Sequence, residues 1–333
     1  MGIIFPGAGF LAPARRARLD CTEVMIGSVR RCVAFAAVCS FALVALARPQ
    51  ADHVFIISID GGNPEVMQRS KMPVLRKLVK EGAHTWLATT IMPPLTLPAH
   101  ASMLTGVGAN KHRVLWNNWS PTNGFVRWPT IFTAVKQAGH STAMFVGKEK
   151  FRHLVQPGTV DQFSFNSAAS QVISKSDSGG SSLKQEGNVP ARTVASDAAG
   201  YIVKNKPGLC FIHFADPDTV GHEFGWGSPE QLEAFADTDA ALGVVLKAIR
   251  KAGLAKDSVV IVSADHGGHG LGHSQGTPED MQIPWIAWGK GVRRHFEITA
   301  PVTTCDTSAT ALWLLKVQPV SPLDGAPIKS AFK

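Results

Sequence analysis

Residues 53–62 read HVFIISIDGG, an apolar run that ends in an aspartate and two glycines. A run dominated by β-branched and aromatic side chains, bounded by a turn signal, is typical of a strand buried on both faces. Such strands occur in parallel sheets that are covered by helices. The stretch therefore predicts an α/β fold in which Asp60 stands at the carboxyl end of a strand.

The rest of the chain alternates strand-like and helix-like segments. Further strands are predicted at residues 141–146, 209–214, 258–263 and 283–288. Helices are predicted at residues 72–81, 129–138, 191–204, 229–252 and 306–315. This alternation predicts an α/β three-layer sandwich, with a mainly parallel central sheet flanked by helices. Residues 174–188 are rich in serine, glycine and lysine, and we expect a surface loop there.

The amino-terminal region, residues 1–50, has the pattern of a secretory signal. Arg30 and Arg31 precede an uncharged apolar run at residues 32–46, and a small-residue cleavage site ends at Ala47. We expect the true start at Met25 and cleavage near Ala47. An uncleaved anchor helix is the alternative, although the apolar run is short for a membrane span.

Residues 51–333 remain, and we expect them to form a single catalytic domain. Beyond residue 50, 27 basic and 23 acidic residues leave a net charge of +4, and we find no nucleic-acid-recognition module. The signal predicts a periplasmic or secreted protein without a stable membrane anchor after cleavage. Only Cys210 and Cys305 lie beyond residue 50. Any metal site must therefore be built from histidines and acids. The sequence leaves the oligomeric state open.

Acidic and histidine residues follow three of the predicted strands. They are Asp60; Asp216, Asp218 and His222; and Asp265, His266, His269 and His273. A single aspartate after a strand is usually a turn or cap residue. Three such groups are expected to meet, because ligands of parallel sheets bind beyond the carboxyl ends of the strands. Buried acids repel one another unless cations lie between them. The pattern therefore predicts two divalent metal ions, with zinc as the preferred choice.

A fourth segment, residues 93–100, reads PPLTLPAH and offers a hydroxyl group. Pro98 is suited to the first turn of a helix, which places Thr96 at or just before the helix N-terminus. Amide groups and the helix dipole favour an anion at that position. A threonine hydroxyl held by a divalent cation becomes a competent nucleophile. The alternative is that Thr96 only caps the helix.

Five stretches of the chain together resemble the alkaline phosphatase superfamily, specifically its type I phosphodiesterase/nucleotide pyrophosphatase branch. They read IISIDGG, PPLTLPAHASMLTG, FADPDTVGH, SADHGGHGLGH and TPEDMQIPWIAWG. The resemblance runs from about residue 52 to residue 315. It implies one metal ion held by Asp60, Thr96, Asp265 and His266, and a second held by Asp218, His222 and His273. His269 is the alternative to His273 as the last ligand, but the position of His273 in the motif favours His273.

The resemblance also implies a reaction. The metal-bound hydroxyl of Thr96 would attack phosphorus in line with the leaving oxygen, whose bond to phosphorus breaks as a covalent phospho-threonine forms. Metal-activated water would then release the phosphoryl group from Thr96. The expected substrate is a small-molecule phosphate ester. Asn117 matches an asparagine that contacts a phosphoryl oxygen in the family, and Asn118 is the alternative.

One feature departs from the nucleotide pyrophosphatases. Lys148 and Lys150 resemble a pair of basic residues in phosphonoacetate hydrolase and in some monoester-cleaving relatives. Such a pair binds additional negative charge on the substrate, so a phosphomonoesterase or phosphonate hydrolase is the alternative activity. An inactive metal-binding relative is the alternative of another class. Three tryptophans that follow the nucleophile segment form either a substrate wall or ordinary packing. They are Trp116, Trp119 and Trp128.

Overall fold

The computed structural model describes residues 51–169 and 187–333. The predicted signal region and residues 174–186 of the predicted loop lie outside the described residues. The described strands are β1 His53–Ile59, β2 Ala83–Thr89, β3 Thr142–Val146, β4 Gln162–Ser164, β5 Leu209–Phe214, β6 Ser258–Ser263, β7 Gln282–Gly289 and β8 Phe296–Glu297. The described α-helices are α1 Pro64–Arg69, α2 Pro73–Glu81, α3 Thr96–Thr105, α4 Ala109–His112, α5 Ile131–Gln137, α6 Ala191–Asn205, α7 Asp216–Phe224, α8 Pro229–Lys251, α9 Pro278–Met281 and α10 Asp306–Leu315.

The eight described strands form one sheet in the order β4-β3-β5-β1-β6-β7-β2-β8. The strands from β4 to β6 are parallel, whereas β7 runs antiparallel to both β6 and β2. Ile57 in β1 pairs with Ile212 in β5 and with Val262 in β6. This mainly parallel, helix-flanked sheet confirms the predicted fold class.

Both faces of the sheet are covered, which explains why β1 is apolar at almost every position. Ile56 belongs to a hydrophobic cluster on one face, and its neighbour Ile57 belongs to the cluster on the other face. The first cluster includes Leu312 of α10, and the second includes Leu242 of α8. Successive side chains of a strand point to opposite faces, so each face receives alternate residues of β1.

Five of the described strands lie where the sequence predicts them, and β2, β4 and β8 were not predicted. Residues 216–222, which follow β5, form most of helix α7. Pro217 stands in the first turn of that helix, with acidic side chains on either side, as the helix dipole favours. Cys210 and Cys305 are buried free thiols. Within the described ranges, no helix is both long and apolar enough to cross a membrane.

Candidate metal centre

The predicted ligands converge at the carboxyl ends of three adjacent strands. Asp60 directly follows β1, Asp218 lies in the helix after β5, and Asp265 lies two residues after the end of β6. Since β1 lies between β5 and β6 in the sheet, the three segments emerge side by side. All three aspartates are buried.

One group of ligand atoms consists of Asp218, His222 and His273, which we call the His222 cluster. Its atoms lie within 4.8 Å of one another. The Nε2 atoms of the two histidines are 3.0 Å apart, and Oδ1 of Asp218 lies 3.4 Å from Nε2 of His222 and 3.5 Å from that of His273. Nδ1 of His222 contacts the carbonyl oxygen of Leu271, and Nδ1 of His273 that of Pro94. When each Nδ1–H donates in this way, both Nε2 lone pairs are left for a metal ion.

A second group consists of Asp60, Asp218 and His266, which we call the His266 cluster. Nε2 of His266 lies 3.4 Å from Oδ1 of Asp60 and 3.9 Å from Oδ1 of Asp218. The same nitrogen lies 3.2 Å from Oδ2 of Asp265. Asp218 is therefore shared by the two clusters, and Asp265 adjoins the second.

The polar atoms that these residues turn toward one another lack ordinary partners. Within the described residues, Oδ1 of Asp60, Oδ1 of Asp218, Oδ2 of Asp265 and Nε2 of His266 are buried without a hydrogen bond. Leaving such atoms unsatisfied in a protein interior is costly, and native folds rarely do so. Carboxylate oxygens and imidazole nitrogens are the donors that divalent ions accept. The donor set therefore fits bound divalent metal.

Thr96 is the first residue of α3 and is buried. The N-cap position belongs to Leu95 and not to Thr96, so the threonine is not needed to cap the helix. Oγ1 of Thr96 lies 3.5 Å from Nζ of Lys148. The hydroxyl thus adjoins the lysine that touches both clusters.

Lys148 lies between the acids of the centre. Its Nζ is 2.7 Å from Oδ2 of Asp60 and 2.5 Å from Oδ2 of Asp218, and its side chain is only 6% exposed. These contacts use the Oδ2 atoms and leave the Oδ1 atoms to face His266. Lys150 is also buried, in the 3-10 helix Glu149–Leu154. The sequence predicted that Lys148 binds negative charge on the substrate. It did not predict that Asp60 and Asp218 would surround the ammonium group.

The charges of the centre are strongly coupled. Burial opposes ionisation of Asp60, but the Lys148 ammonium and a hydrogen bond from His213 hold the pKa of Asp60 well below its usual range. Burial would also lower the pKa of Lys148, but Asp218 and Asp60 raise it. Burial, together with the negative charge of Asp60, raises the pKa of Asp265 well above its usual range. One lysine therefore does not neutralise three buried acids, and an added cation would favour ionised Asp265.

Two buried histidines that were not predicted from the sequence contact residues of the centre. Nε2–H of His213 donates to Oδ2 of Asp60 at 2.9 Å, while Nδ1 accepts the amide hydrogen of Gly147. These contacts fix the tautomer of His213. His100 contacts the carbonyl oxygen of Thr96 and the hydroxyl of Ser58. A histidine inside an apolar strand is the signal that could have identified His213.

Two polar residues near the motifs lie outside both clusters. His269 contacts Asp280 at 2.8 Å and is 35% exposed. Asp216 accepts a hydrogen bond from the amide of Ala191, the first residue of α6. Burial raises the pKa of Asp216 to about 6. Asp216 thus joins α6 to α7.

The predicted asparagine and tryptophans occupy different environments. Asn117 accepts a hydrogen bond from the amide of Leu97 at 2.8 Å, which ties it to the first turn of α3. Trp116 and Trp128 pack against the hydrophobic core, as the packing alternative expected. The ring of Trp119 lies 4.5 Å from that of His153. Asn118, the alternative to Asn117, is exposed.

Comparison with known proteins identifies the family of this chain. The family model for type I phosphodiesterase / nucleotide pyrophosphatase matches residues 54–276. The chain is 25% identical over 233 residues to an uncharacterised pyrophosphatase/phosphodiesterase of Schizosaccharomyces pombe, with 64% of this chain and 44% of that protein covered. It is 23% identical over 248 residues to human ectonucleotide pyrophosphatase/phosphodiesterase family member 5, with 68% and 49% covered. The chain spans about half the length of these relatives.

Two solved structures show the same fold. Human ectonucleotide pyrophosphatase / phosphodiesterase 5 superposes with a TM-score of 0.68 at 15% identity, covering 84% of this chain and 100% of that one. Phosphonate monoester hydrolase from Silicibacter pomeroyi gives a TM-score of 0.59 at 16% identity, covering 83% and 75%. The family match includes most of the strand that precedes Asp60, the Thr96 segment and the segments that bear the histidines. It confirms the resemblance drawn from the motifs: the chain belongs to the type I phosphodiesterase/nucleotide pyrophosphatase family of the alkaline phosphatase superfamily.

Proposed function

We propose that this protein is a metal-dependent phosphoric ester hydrolase of the phosphodiesterase/nucleotide pyrophosphatase type, with Thr96 as its nucleophile. The observation that carries the proposal is the pair of clusters that share Asp218, with four buried polar atoms lacking partners. The signal-like pattern of residues 1–50 supports a periplasmic or secreted location. The substrate is a small-molecule phosphate ester.

Two divalent ions, with zinc preferred, match the donor set. Asp60, Thr96, Asp265 and His266 would hold one ion, and Asp218, His222 and His273 the other. Bound there, the ions would supply positive charge for the attacked phosphoryl group and lower the pKa of the nucleophile. Leu271 and Pro94 keep the two histidines of the His222 cluster in the orientation that this role requires.

The residues around Thr96 suit attack on a phosphoryl group. The amide groups and dipole at the start of α3 favour an anion beside Thr96. Lys148, 3.5 Å from the threonine hydroxyl, stabilises negative charge as that oxygen loses its proton. Oδ1 of Asn117 accepts the amide of Leu97, so its Nδ2 group is the part that donates to a phosphoryl oxygen.

Substitution of Thr96 tests the proposal directly. We expect Thr96→Ala to lower kcat/KM for bis-p-nitrophenyl phosphate by roughly 10³-fold or more, as loss of a nucleophile does elsewhere. Thr96→Ser, which keeps a hydroxyl, should retain part of the activity. Metal content and thermal unfolding, measured on the same preparations, show whether each variant is folded and loaded. Unchanged turnover by a metal-loaded Thr96→Ala variant would remove Thr96 from the reaction.

Lys148 favours a second candidate, a phosphomonoesterase or phosphonate hydrolase. A buried ammonium near the nucleophile is suited to a substrate with one more negative charge than a diester. In that case Lys148→Met and Lys150→Met should lower turnover of p-nitrophenyl phosphate more than turnover of the diester. An unchanged ratio of monoester to diester turnover in both variants would exclude this candidate.

A further inference from the structure

Trp226 lies against the metal centre although neither sequence motifs nor charge identifies it. It follows α7, and Gly225 and Gly227 on its two sides both have positive φ angles. Its indole is perpendicular to the ring of His222, with ring centres 5.2 Å apart, and lies 5.8 Å from the ring of His273. One side chain thus contacts both histidines of the His222 cluster.

Three glycines make room for this indole, and each lies next to or near a proposed ligand. A Cβ atom at Gly268 would lie 2.2 Å from the indole, one at Gly221 would lie 2.9 Å from it, and one at Gly61 would lie 3.2 Å from it. Gly61 follows Asp60, Gly221 precedes His222, and Gly268 is two residues after His266. Contacts shorter than 3 Å are not tolerated by real side chains, so glycine is required at Gly268 and Gly221.

Hydrogen bonds connect Trp226 to two of the same segments. Its indole Nε1–H donates to the carbonyl oxygen of Gly61 at 3.1 Å. Its backbone amide donates to the carbonyl oxygen of Gly270 at 2.8 Å, in the loop that leads to His273. The indole therefore joins the end of β1, the end of α7 and the loop after β6.

We propose that Trp226 is a positioning residue that holds the His222 cluster in its metal-binding geometry. His222 has the greatest need of such support, because its side chain is 34% exposed, whereas those of Asp218 and His273 are 5% exposed. A rigid ring behind the two histidines limits their rotation and so lowers the entropy lost when they bind an ion. The inference rests on the proposed function, since the ion concerned is one of the two proposed there.

The test compares Trp226→Ala and Trp226→Phe with wild type by titration with Zn²⁺ alone against a chromogenic chelator. We expect Trp226→Ala to weaken one of the two zinc affinities by about 10- to 100-fold, as loss of outer-sphere support does elsewhere. Trp226→Phe keeps a ring but loses the bond to Gly61, so it should weaken the same affinity less. The kcat of both variants should approach the wild-type value once zinc is saturating, with the KM for substrate unchanged.

Trp288 provides the matched control. It is also half-buried and also donates one hydrogen bond from its indole, to Glu81, but it lies in β7 and packs against the core. Trp288→Ala should lower thermal stability without changing either zinc affinity. Wild-type affinity for both ions in Trp226→Ala would overturn the proposal. If Trp226→Ala does not fold, wild-type affinity for both ions in Trp226→Phe would overturn it equally.

Hydrogen exchange of the metal-free proteins separates this inference from the proposed function. Trp226→Ala, or Trp226→Phe in its absence, should speed amide exchange in residues 61–68 and 268–273, and Trp288→Ala should not. Unchanged exchange in those residues would contradict the positioning role. If wild type bound no divalent ion, the proposed function would fail, and the exchange result would still decide whether Trp226 orders these segments.

Discussion

Two lysines at strand ends, one at each end of the sheet, differ in how deeply they and their acidic partners are buried. Lys148, just beyond β3, is 6% exposed and pairs with Asp60 and Asp218. Lys290, just beyond the antiparallel strand β7, lies at the opposite end; it is 36% exposed, and its partner Asp257 is 49% exposed. Water screens the second pair, so it contributes little to stability. The first pair lies where an unpaired charge is strongly unfavourable.

The difference extends beyond the lysines. At the carboxyl ends of β1, β5 and β6, buried carboxylate and imidazole atoms lack hydrogen-bond partners. Oδ1 of Asp60 and Nε2 of His266 are two of them. Such an arrangement is a poor way to stabilise a fold, because each buried charge must be compensated. We infer that this end of the sheet is organised for binding ions, and that the other end is ordinary solvated surface.

Removal of metal from the carboxyl ends of β1, β5 and β6 should produce the largest effect. We expect treatment with a chelator to reduce ester hydrolysis to background, and added Zn²⁺ to restore it. The thermal unfolding temperature should also fall, since ions that bind only the folded state stabilise it by about 4 kcal/mol at a thousand times their Kd. Activity and unfolding measured before and after dialysis check both effects. Full activity in protein shown to be metal-free would contradict the account.

The two histidines that competed as last ligand give the next largest contrast. His273→Ala removes a proposed ligand of the His222 cluster, so zinc affinity should fall by more than the roughly 10- to 100-fold typical of outer-sphere residues. His269 pairs with Asp280 outside the cluster, so His269→Ala should leave zinc affinity almost unchanged. Titration of both variants decides between them. A larger effect at His269 would reverse the assignment.

Substitution of the two lysines compares the two ends of the sheet directly. In metal-free protein we expect Lys148→Met to lower the free energy of unfolding by about 3–5 kcal/mol, because it leaves buried carboxylates without their cation. Lys290→Met should lower it by less than about 1 kcal/mol. Denaturant unfolding in the presence of chelator measures both. If both substitutions lowered the free energy of unfolding equally, burial would not make the Lys148 ion pairs stronger than the Lys290 pair.

Acidification should produce a gradual effect on the same end, spread over several pH units. Burial and the nearby His273 lower the pKa of His266 from 6.5 to about 3. Below pH 6.5 the unfolded chain therefore takes up a proton that the folded protein does not. The free energy of unfolding of metal-free protein should fall by up to about 1.4 kcal/mol per pH unit for this group.

The carboxylates extend this loss to lower pH. The pKa values of Asp60 and Asp218 are held below their usual range, so their contribution is present above the unfolded value of 3.8 and is lost as the pH falls below it. Denaturant unfolding at a series of pH values checks the profile. His266→Asn should flatten the part between pH 6.5 and 3. Asp265 and Asp216, whose pKa values are raised, take up protons in the folded protein in the same range and oppose this loss, so wild type must be compared with His266→Asn. Identical profiles for the two proteins between pH 6.5 and 3 would contradict the inferred burial of uncharged His266.

The sequence predicted five of the eight described strands, and the acids and histidines that follow them, because both are local patterns. Residues 53–62 combine an apolar run with a terminal aspartate, which indicates a strand and its end without any tertiary knowledge. Strand β2 reads AHTWLAT and has no clear apolar pattern; its pairing with β7, which lies nearly 200 residues further along the chain, gives it its structure. Local sequence patterns therefore do not predict a strand whose structure depends on long-range pairing.

The features of the site that the sequence did not predict have the same cause. Lys148 meets Asp60 because β3 pairs with β5, which in turn pairs with β1, and no local feature of residues 147–150 reveals this. Trp226 is recognisable from its contacts in the fold, among them the glycines packed around it, of which Gly61 and Gly268 come from distant segments. Of the predicted set, the structure brings Asp60, Asp218, His222, Asp265, His266 and His273 together. The ligand and nucleophile roles remain predictions, as do the single catalytic domain and the signal.

Anomalous X-ray diffraction at the zinc absorption edge, from crystals grown with Zn²⁺, tests the central claim most directly. We expect two anomalous peaks at the carboxyl ends of β1, β5 and β6. One should lie on Nε2 of His222 and His273, and the other on Nε2 of His266 and the carboxylate of Asp60. The absence of peaks at these atoms, with zinc bound elsewhere or not at all, would contradict the account.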